Sequence, residues 1–223
     1  SYYGDWIALE ESPGSMTSAA YYVHDVELLG NISSALGRAA DAARYAARAA
    51  SLRGEFAAAF VREQKSFGLY QGTHWFANGV QGANAIALGL GLAPDQGNKT
   101  WGSVYRGALS HLGHSIQYTH NTHSTAGMYG LKHTLDVLHR SGNTQLAYEL
   151  ITSSDYPSYG SMVAQGATTL WELWSNKVGD SMNSHNHLMF SFVGAWMVQA
   201  LVGIQLPTEP TSAQGAPATF LRP

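Results

Sequence analysis

Apolar residues recur at helical spacing along most of the chain, and no stretch alternates apolar with polar residues for more than a few positions. Tyr22, Val26, Leu29, Ile32 and Leu36 mark one long helix, and Tyr45, Ala49, Leu52, Phe56 and Phe60 mark a second after a break at Gly37. Met128, Leu131, Leu135 and Leu138 predict another, and Met189, Phe192, Trp196 and Ala200 a fourth. Shorter helical patterns lie near 79–91, 101–117, 143–152 and 169–175. The expected class is all-α. Helix after helix with polar loops between them suits a toroid of antiparallel helix pairs, and a solenoid or a plain bundle gives much the same pattern. Residues 1–205 read as one helical unit. From 206 to 223 the prolines at 207, 210, 217 and 223 rule out a helix and predict an extended tail.

Charge narrows the partners. Lys and Arg number 12 against 15 Asp and Glu, a net charge of -3, and no basic run could neutralise a phosphate backbone, so a nucleic acid partner is not expected. Charged residues are only 12% of the chain while aromatics reach 11%, a balance that suits a neutral polar ligand such as a sugar. No apolar run reaches the roughly 18 residues of a membrane span, so a soluble chain without a membrane partner is expected. Cysteine is absent, which excludes disulfides and thiolate metal sites and leaves redox compartment unread. A secreted or extracellular setting is the favoured expectation. The opening Ser1-Tyr2-Tyr3-Gly4-Asp5-Trp6 has no initiator methionine and looks like a processed or truncated end. Of the two glycosylation sequons, Asn98-Lys99-Thr100 falls in an expected loop and Asn31-Ile32-Ser33 inside a helical pattern.

Chemistry concentrates late in the chain. Asp155-Tyr156-Pro157-Ser158-Tyr159-Gly160 precedes Gly166-Ala167-Thr168-Thr169-Leu170-Trp171-Glu172-Leu173-Trp174, and Asn183-Ser184-His185-Asn186-His187 follows. One carboxylate thus sits between two tryptophans, near two histidines. Apolar walls raise a carboxylate's proton affinity and indole faces stack on sugar rings, so Glu172 is a candidate general base. Thr169-Leu170-Trp171-Glu172 equally fits a capping box in which Glu172 folds back on the Thr169 amide, and the residues alone leave the two readings open. The ten histidines include close pairs at 111 and 114, 120 and 123, and 185 and 187. A zinc site would recruit Cys, Asp or Glu beside them, so no metal and no cofactor is expected, and His120 and His123 are assigned instead to hydrogen bonding with a sugar.

The order of these segments resembles the catalytic (α/α)6 domain of glycoside hydrolase family 78, the α-L-rhamnosidases. Its members carry a similar Tyr-Pro-Ser-Trp, Gly-Ala-Thr-Thr-x-Trp-Glu-x-Trp and Asn-Ser-x-Asn-His series. Gly4-Asp5-Trp6, the Gln81 to Pro94 segment and Thr125-Ala126-Gly127-Met128-Tyr129-Gly130 resemble further family motifs. The resemblance implies antiparallel helix pairs forming about half to two thirds of an (α/α)6 toroid, with Glu172, His187 and Trp6 converging on its concave end. It implies that Glu172 activates water, that His187 is a site histidine, and that Asp5, Trp6, Trp171 and Trp174 line the pocket for rhamnose, Asp5 as acceptor for sugar hydroxyls. Tyr159, Leu173 and Ser124 depart from the usual Trp, Arg and Thr.

The family's general acid comes from an upstream Cys-Pro-Gln-Arg segment that has no counterpart here. The expectation is an inverting hydrolase of rhamnose-containing carbohydrates whose acid comes from an upstream segment or a second polypeptide. The alternative is a carbohydrate-binding or structural protein that kept the barrel and lost catalysis.

Overall fold

The structure is a computed structural model describing residues 3–64, 74–94, 102–179, 183–205 and 220–221. It divides into two compact units, Ser1–Val137 and Leu138–Pro223.

The first unit opens with two long helices, α1 (Gly14–Ala35) and α2 (Ala39–Phe60). Three residues separate them, and the turn is set by Gly37 at φ 70°, a left-handed conformation that favours glycine. There the Gly37 amide donates to the Ser34 carbonyl and the Arg38 amide to that of Ser33, the paired bonds of a Schellman cap. The helices pack antiparallel, with Glu27 of α1 paired to Arg53 of α2 and Gly30 set against Tyr45 and Ala46. α2 leads into strand β1 (Val61–Glu63), which pairs antiparallel with β2 (His74–Phe76), Arg62 opposite Trp75.

Next comes α3 (Gln81–Gly89), whose residues Gln81 to Leu88 are all buried. Asn84 ties it to β2, its Oδ1 accepting the Phe76 amide at 2.8 Å while Nδ2 donates to the Gly79 carbonyl at 2.9 Å. α4 (Ser103–His114) ends in a widened π turn over Ser115–Thr119. α5 (Met128–Arg140) carries the unit boundary within it. Met16, Phe56, Phe76, Ile86, Leu112 and Leu131 are among the side chains that fill this unit's core.

The second unit holds α6 (Thr144–Thr152), α7 (Tyr159–Ala164) and α8 (Phe192–Trp196). A 3₁₀ turn at Leu188–Phe190 precedes α8 and a π turn at Met197–Leu201 follows it. Strand β3 (Ile204–Gln205) pairs antiparallel with β4 (Phe220–Leu221). Among the described residues each sheet has two strands. Most of the tail from 206, and Asn98, lie outside them; Asn31 is exposed on α1.

The expected first helix forms as α1. Its face toward the core carries Met16, Ala20, Val23 and Val26, so of the five residues that mark it only Val26 is buried, and Ile32 and Leu36 are 54% and 69% exposed. Small residues let α2 approach on one side. One expectation is corrected. Residues 169–175 form no helix, because their amides bond to a later segment instead of to one another. The expected helix around Met189 to Ala200 is present as α8 and the π turn that continues it, entered through the 3₁₀ turn, with Phe190 and Trp196 buried and Met189 exposed.

Candidate functional site

In the second unit, Ser158 caps α7 reciprocally with Ser161, and Gly166, at φ 91°, ends the helix. The chain then passes through a bent loop, Leu170 to Ser175, that hydrogen-bonds to residues 183–187. The Glu172 amide donates to the Ser184 carbonyl at 2.8 Å, and the His187 amide donates to the Leu170 carbonyl at 2.8 Å. In return the Ser184 amide donates to Glu172 Oε2 at 3.0 Å. The Thr169 hydroxyl donates to the His185 carbonyl. The capping alternative is therefore excluded: there is no helix to cap, and the Glu172 carboxylate faces the Ser184 amide. Glu172 is 5% exposed.

Two indoles flank this carboxylate in sequence, each held by aromatic contacts. Trp171 stacks on His185 with ring centres 4.7 Å apart and planes 22° from parallel. Trp174 packs on Phe190 at 4.4 Å and edge-on to Tyr159 at 5.3 Å. Both are buried, and the Trp174 indole N–H has no acceptor among the described residues. Tyr159 donates its hydroxyl to the Phe190 carbonyl at 3.0 Å, and burial pushes that phenol well above its ordinary range. His187 caps the following turn, its Nδ1 accepting the Met189 amide at 3.4 Å.

The first unit contributes a separate constellation around the loop that enters α1. Asp5 is 4% exposed and accepts three amides, from Gly127 at 2.7 Å, Tyr129 at 3.0 Å and Gly130 at 2.9 Å. These belong to the start of α5, where the helix dipole favours an anion. The cradle is made of glycine. A Cβ on Gly82 would sit 2.5 Å from Asp5 Oδ2, one on Gly127 2.8 Å from Oδ1, and one on Gly130 would collide with Oδ2. Burial outweighs the amides and raises the carboxyl from 3.8 to about 6. Asp5 was expected to receive sugar hydroxyls; its oxygens are turned inward to the backbone.

Trp6 is half-buried, edge-on to Tyr3 with centroids 5.2 Å apart. With Tyr21, Tyr129, Thr17 and Ser18 these two rings line a cleft of about 590 Å³. Tyr21 meets Tyr129 at 5.7 Å and contacts His133 Nε2 at 3.2 Å; burial, the Asp5 charge and Tyr129 push its phenol up to about 12. His120 Nε2 lies 3.4 Å from Glu10 Oε2, which also accepts the Thr125 hydroxyl at 2.7 Å. His123 Nδ1 is 3.1 Å from the His120 carbonyl. Gln81 organises the same loop, accepting the Thr125 amide and donating to the His123 carbonyl.

The candidate residues thus fall into two sets, with Asp5, Trp6, His120 and His123 in the first unit and Trp171, Glu172, Trp174 and His187 in the second. The sequence reading missed Asn84 and the roles of Gln81 and Asn183. Their only signal was amide side chains beside turns. No group of three or more His, Cys, Asp or Glu among the described residues could hold a metal ion. No described helix is long and apolar enough to cross a membrane. His111 sits against Trp75, its ring held below its usual range by burial and then by His114.

Residues 1–201 match the family described as the bacterial α-L-rhamnosidase six-hairpin glycosidase domain. An α-L-rhamnosidase of Streptomyces avermitilis is 31% identical over 209 residues, covering 91% of this chain and 18% of that protein. One from Alteromonas sp. is 29% identical, covering 92% and 23%. Among solved structures, the α-L-rhamnosidase of Dictyoglumus thermophilum superposes with a TM-score of 0.79 at 32% identity, over 92% of this chain and 22% of that one. The Streptomyces avermitilis enzyme complexed with L-rhamnose gives 0.80 at 28% identity, over 99% and 20%. The chain spans about a fifth of the length of these relatives. The fold class is all-α, of the (α/α)6 six-hairpin type.

Proposed function

The chain belongs to the bacterial α-L-rhamnosidase six-hairpin glycosidase family, and on that premise we propose that it is the base-bearing part of an inverting hydrolase acting on terminal α-L-rhamnose. Glu172 is the general base in this proposal. The observation that carries it is the placement of Glu172: a buried carboxylate whose backbone and one oxygen are both fixed by Ser184. A base held in one orientation can take the proton from a water as that water attacks the anomeric carbon. Trp171, Trp174 and His187 are proposed as sugar contacts of the second unit, and Trp6, His120 and His123 as those of the first. Asp5 serves through its loop, fixing Trp6 by tying the preceding residue to α5.

Inversion needs a second carboxyl, about 6.5 to 9.5 Å from the base so that a water fits between them. Its source is proposed to be an upstream segment or a separate chain that completes the helical barrel. Tyr22, Leu29, Ile32 and Leu36, exposed along α1, are an apolar stripe of the kind such helices would cover. The test is hydrolysis of an α-L-rhamnoside by this chain together with the acid-bearing polypeptide. The reading expects β-L-rhamnose as the first product by NMR, and a rate reduced by about 10² to 10⁴ in Glu172→Gln. Undiminished turnover in that variant removes Glu172 from the mechanism.

A further inference from the structure

A buried carboxylate serves as a base only if something keeps its oxygens from swinging, and Glu172 is held by the peptide that joins residues 183 and 184. That peptide's N–H, on Ser184, donates to Glu172 Oε2 at 3.0 Å. What holds the peptide is the side chain just before it. Asn183 Oδ1 accepts the Leu173 amide at 3.1 Å, and its Nδ2 lies 3.1 Å from the Ser175 carbonyl and 3.0 Å from that of Lys177. A donor on one side and two carbonyls on the other leave a single amide orientation, because flipping it would set oxygen against two carbonyl oxygens. His185 Nε2 lies 3.1 Å from Asn183 Nδ2 and 3.1 Å from the Lys177 carbonyl. With both Asn183 hydrogens given to carbonyls, the imidazole also carries its proton on Nε2 and donates to Lys177. Its ring stacks on Trp171.

We infer that Asn183 is a positioning residue for the Glu172 carboxylate, an inference that rests on Glu172 acting as the base. Asn183 grips the segment on both sides of Trp174, through the residue that follows Glu172 and through the turn at Ser175 to Lys177. The neighbouring peptide then presents its N–H to the carboxylate at a fixed point. Without this grip the segment that carries Ser184 is free to slide or rotate away from the Glu172 carboxylate. A misplacement on the order of 1 Å is enough to cost a reaction about 10²-fold in rate.

The test needs no turnover and uses the whole chain. In ¹⁵N NMR titrations the Ser184 amide resonance should shift as the Glu172 carboxyl takes up a proton, and that response should vanish in Glu172→Gln. Asn183→Ala is expected to abolish the same response while leaving the resonances of Trp171 and of the first unit in place. A Ser184 response that persists unchanged in Asn183→Ala overturns the inference. Should that variant fail to fold, the wild-type side-chain amide decides. The two Asn183 Nδ2 protons should be well separated and slow to exchange, unlike those of the exposed Asn186, and exchange as fast as Asn186 also overturns the inference. These readouts differ from the rate of Glu172→Gln, so failure of the clamp and failure of the base assignment are told apart. A clamp that holds a carboxylate which proves dispensable for turnover refutes the role but not the geometry.

Discussion

Replacing Asp5 by asparagine should change how stability depends on pH, and in a direction opposite to that of an ordinary surface carboxylate. Asp5 is buried, and its folded-state value lies at about 6 against 3.8 for the free group. The folded state therefore binds the Asp5 proton more tightly than the unfolded state. The contribution is fully present below pH 3.8 and is lost as pH rises to about 6. At 1.36 kcal/mol per pH unit, the loss across that window comes to about 3 kcal/mol. Asparagine keeps the shape and cannot ionise. With its oxygen toward the Tyr129 and Gly130 amides it retains two of the three bonds. Its NH₂ then faces the Gly127 amide, leaving that donor unmet at a cost of about 1 to 3 kcal/mol. Asp5→Asn should thus be less stable than wild type near pH 3.5 and roughly equal to it, or more stable, near pH 7.5. Urea unfolding of both proteins at a series of pH values measures the difference directly. A difference that stays constant with pH, or that shifts in favour of wild type as pH rises, would refute the dominance of burial and give the three amides the larger effect.

Other substitutions probe the same framework. Gly130→Ala drives a methyl into Asp5 Oδ2 and should destabilise the chain by about 1 to 3 kcal/mol, with a matching fall in the thermal midpoint. Gly37→Ala meets no neighbouring atom, so its expected loss of about 1 kcal/mol is conformational alone, measurable by denaturant unfolding. Asn84→Ala strands the buried Phe76 amide and should destabilise by about 1 to 3 kcal/mol, seen as faster hydrogen exchange at Phe76. This chain on its own should release no rhamnose from an α-L-rhamnoside at a useful rate, and should do so once an acid-bearing upstream polypeptide is added; robust hydrolysis by the chain alone would place an acid within it.

Much of the fold was legible because helix periodicity and glycine stops are local signals. The break at Gly37, the helix at Gln81 and the one at Met128 follow from spacing that packing did not override. The core face of α1 was not legible. Its neighbour α2 is alanine-rich, so the contact is made by small side chains such as Gly30 while Ile32 and Leu36 face outward. Residues 169–175 misled for a related reason. Their spacing is helical, but Thr169, Leu170, Glu172 and Leu173 find hydrogen-bond partners ten to seventeen residues away, and bonds between segments so distant leave no trace in a short window.

Asp5 and Glu172 show why the site was only half legible. Each is a carboxylate next to tryptophan, and the family resemblance assigns both to the sugar pocket, Glu172 as base and Asp5 as acceptor for sugar hydroxyls. Asp5 is marked by its supply of backbone donors. Asp5 meets three amides in a cradle of Gly82, Gly127 and Gly130, where the missing side chains let α3 and α5 close over it. Glu172 receives the Ser184 amide on one oxygen, next to the bulk of Trp171 and Leu173. A carboxylate saturated by a helix terminus is an anchor, since moving a proton on or off it disturbs three bonds at once. Glycines clustered in space around one acid, though scattered over more than forty residues of sequence, therefore mark the structural carboxylate. By the same reasoning Asp5 is a poor substitute for a general acid.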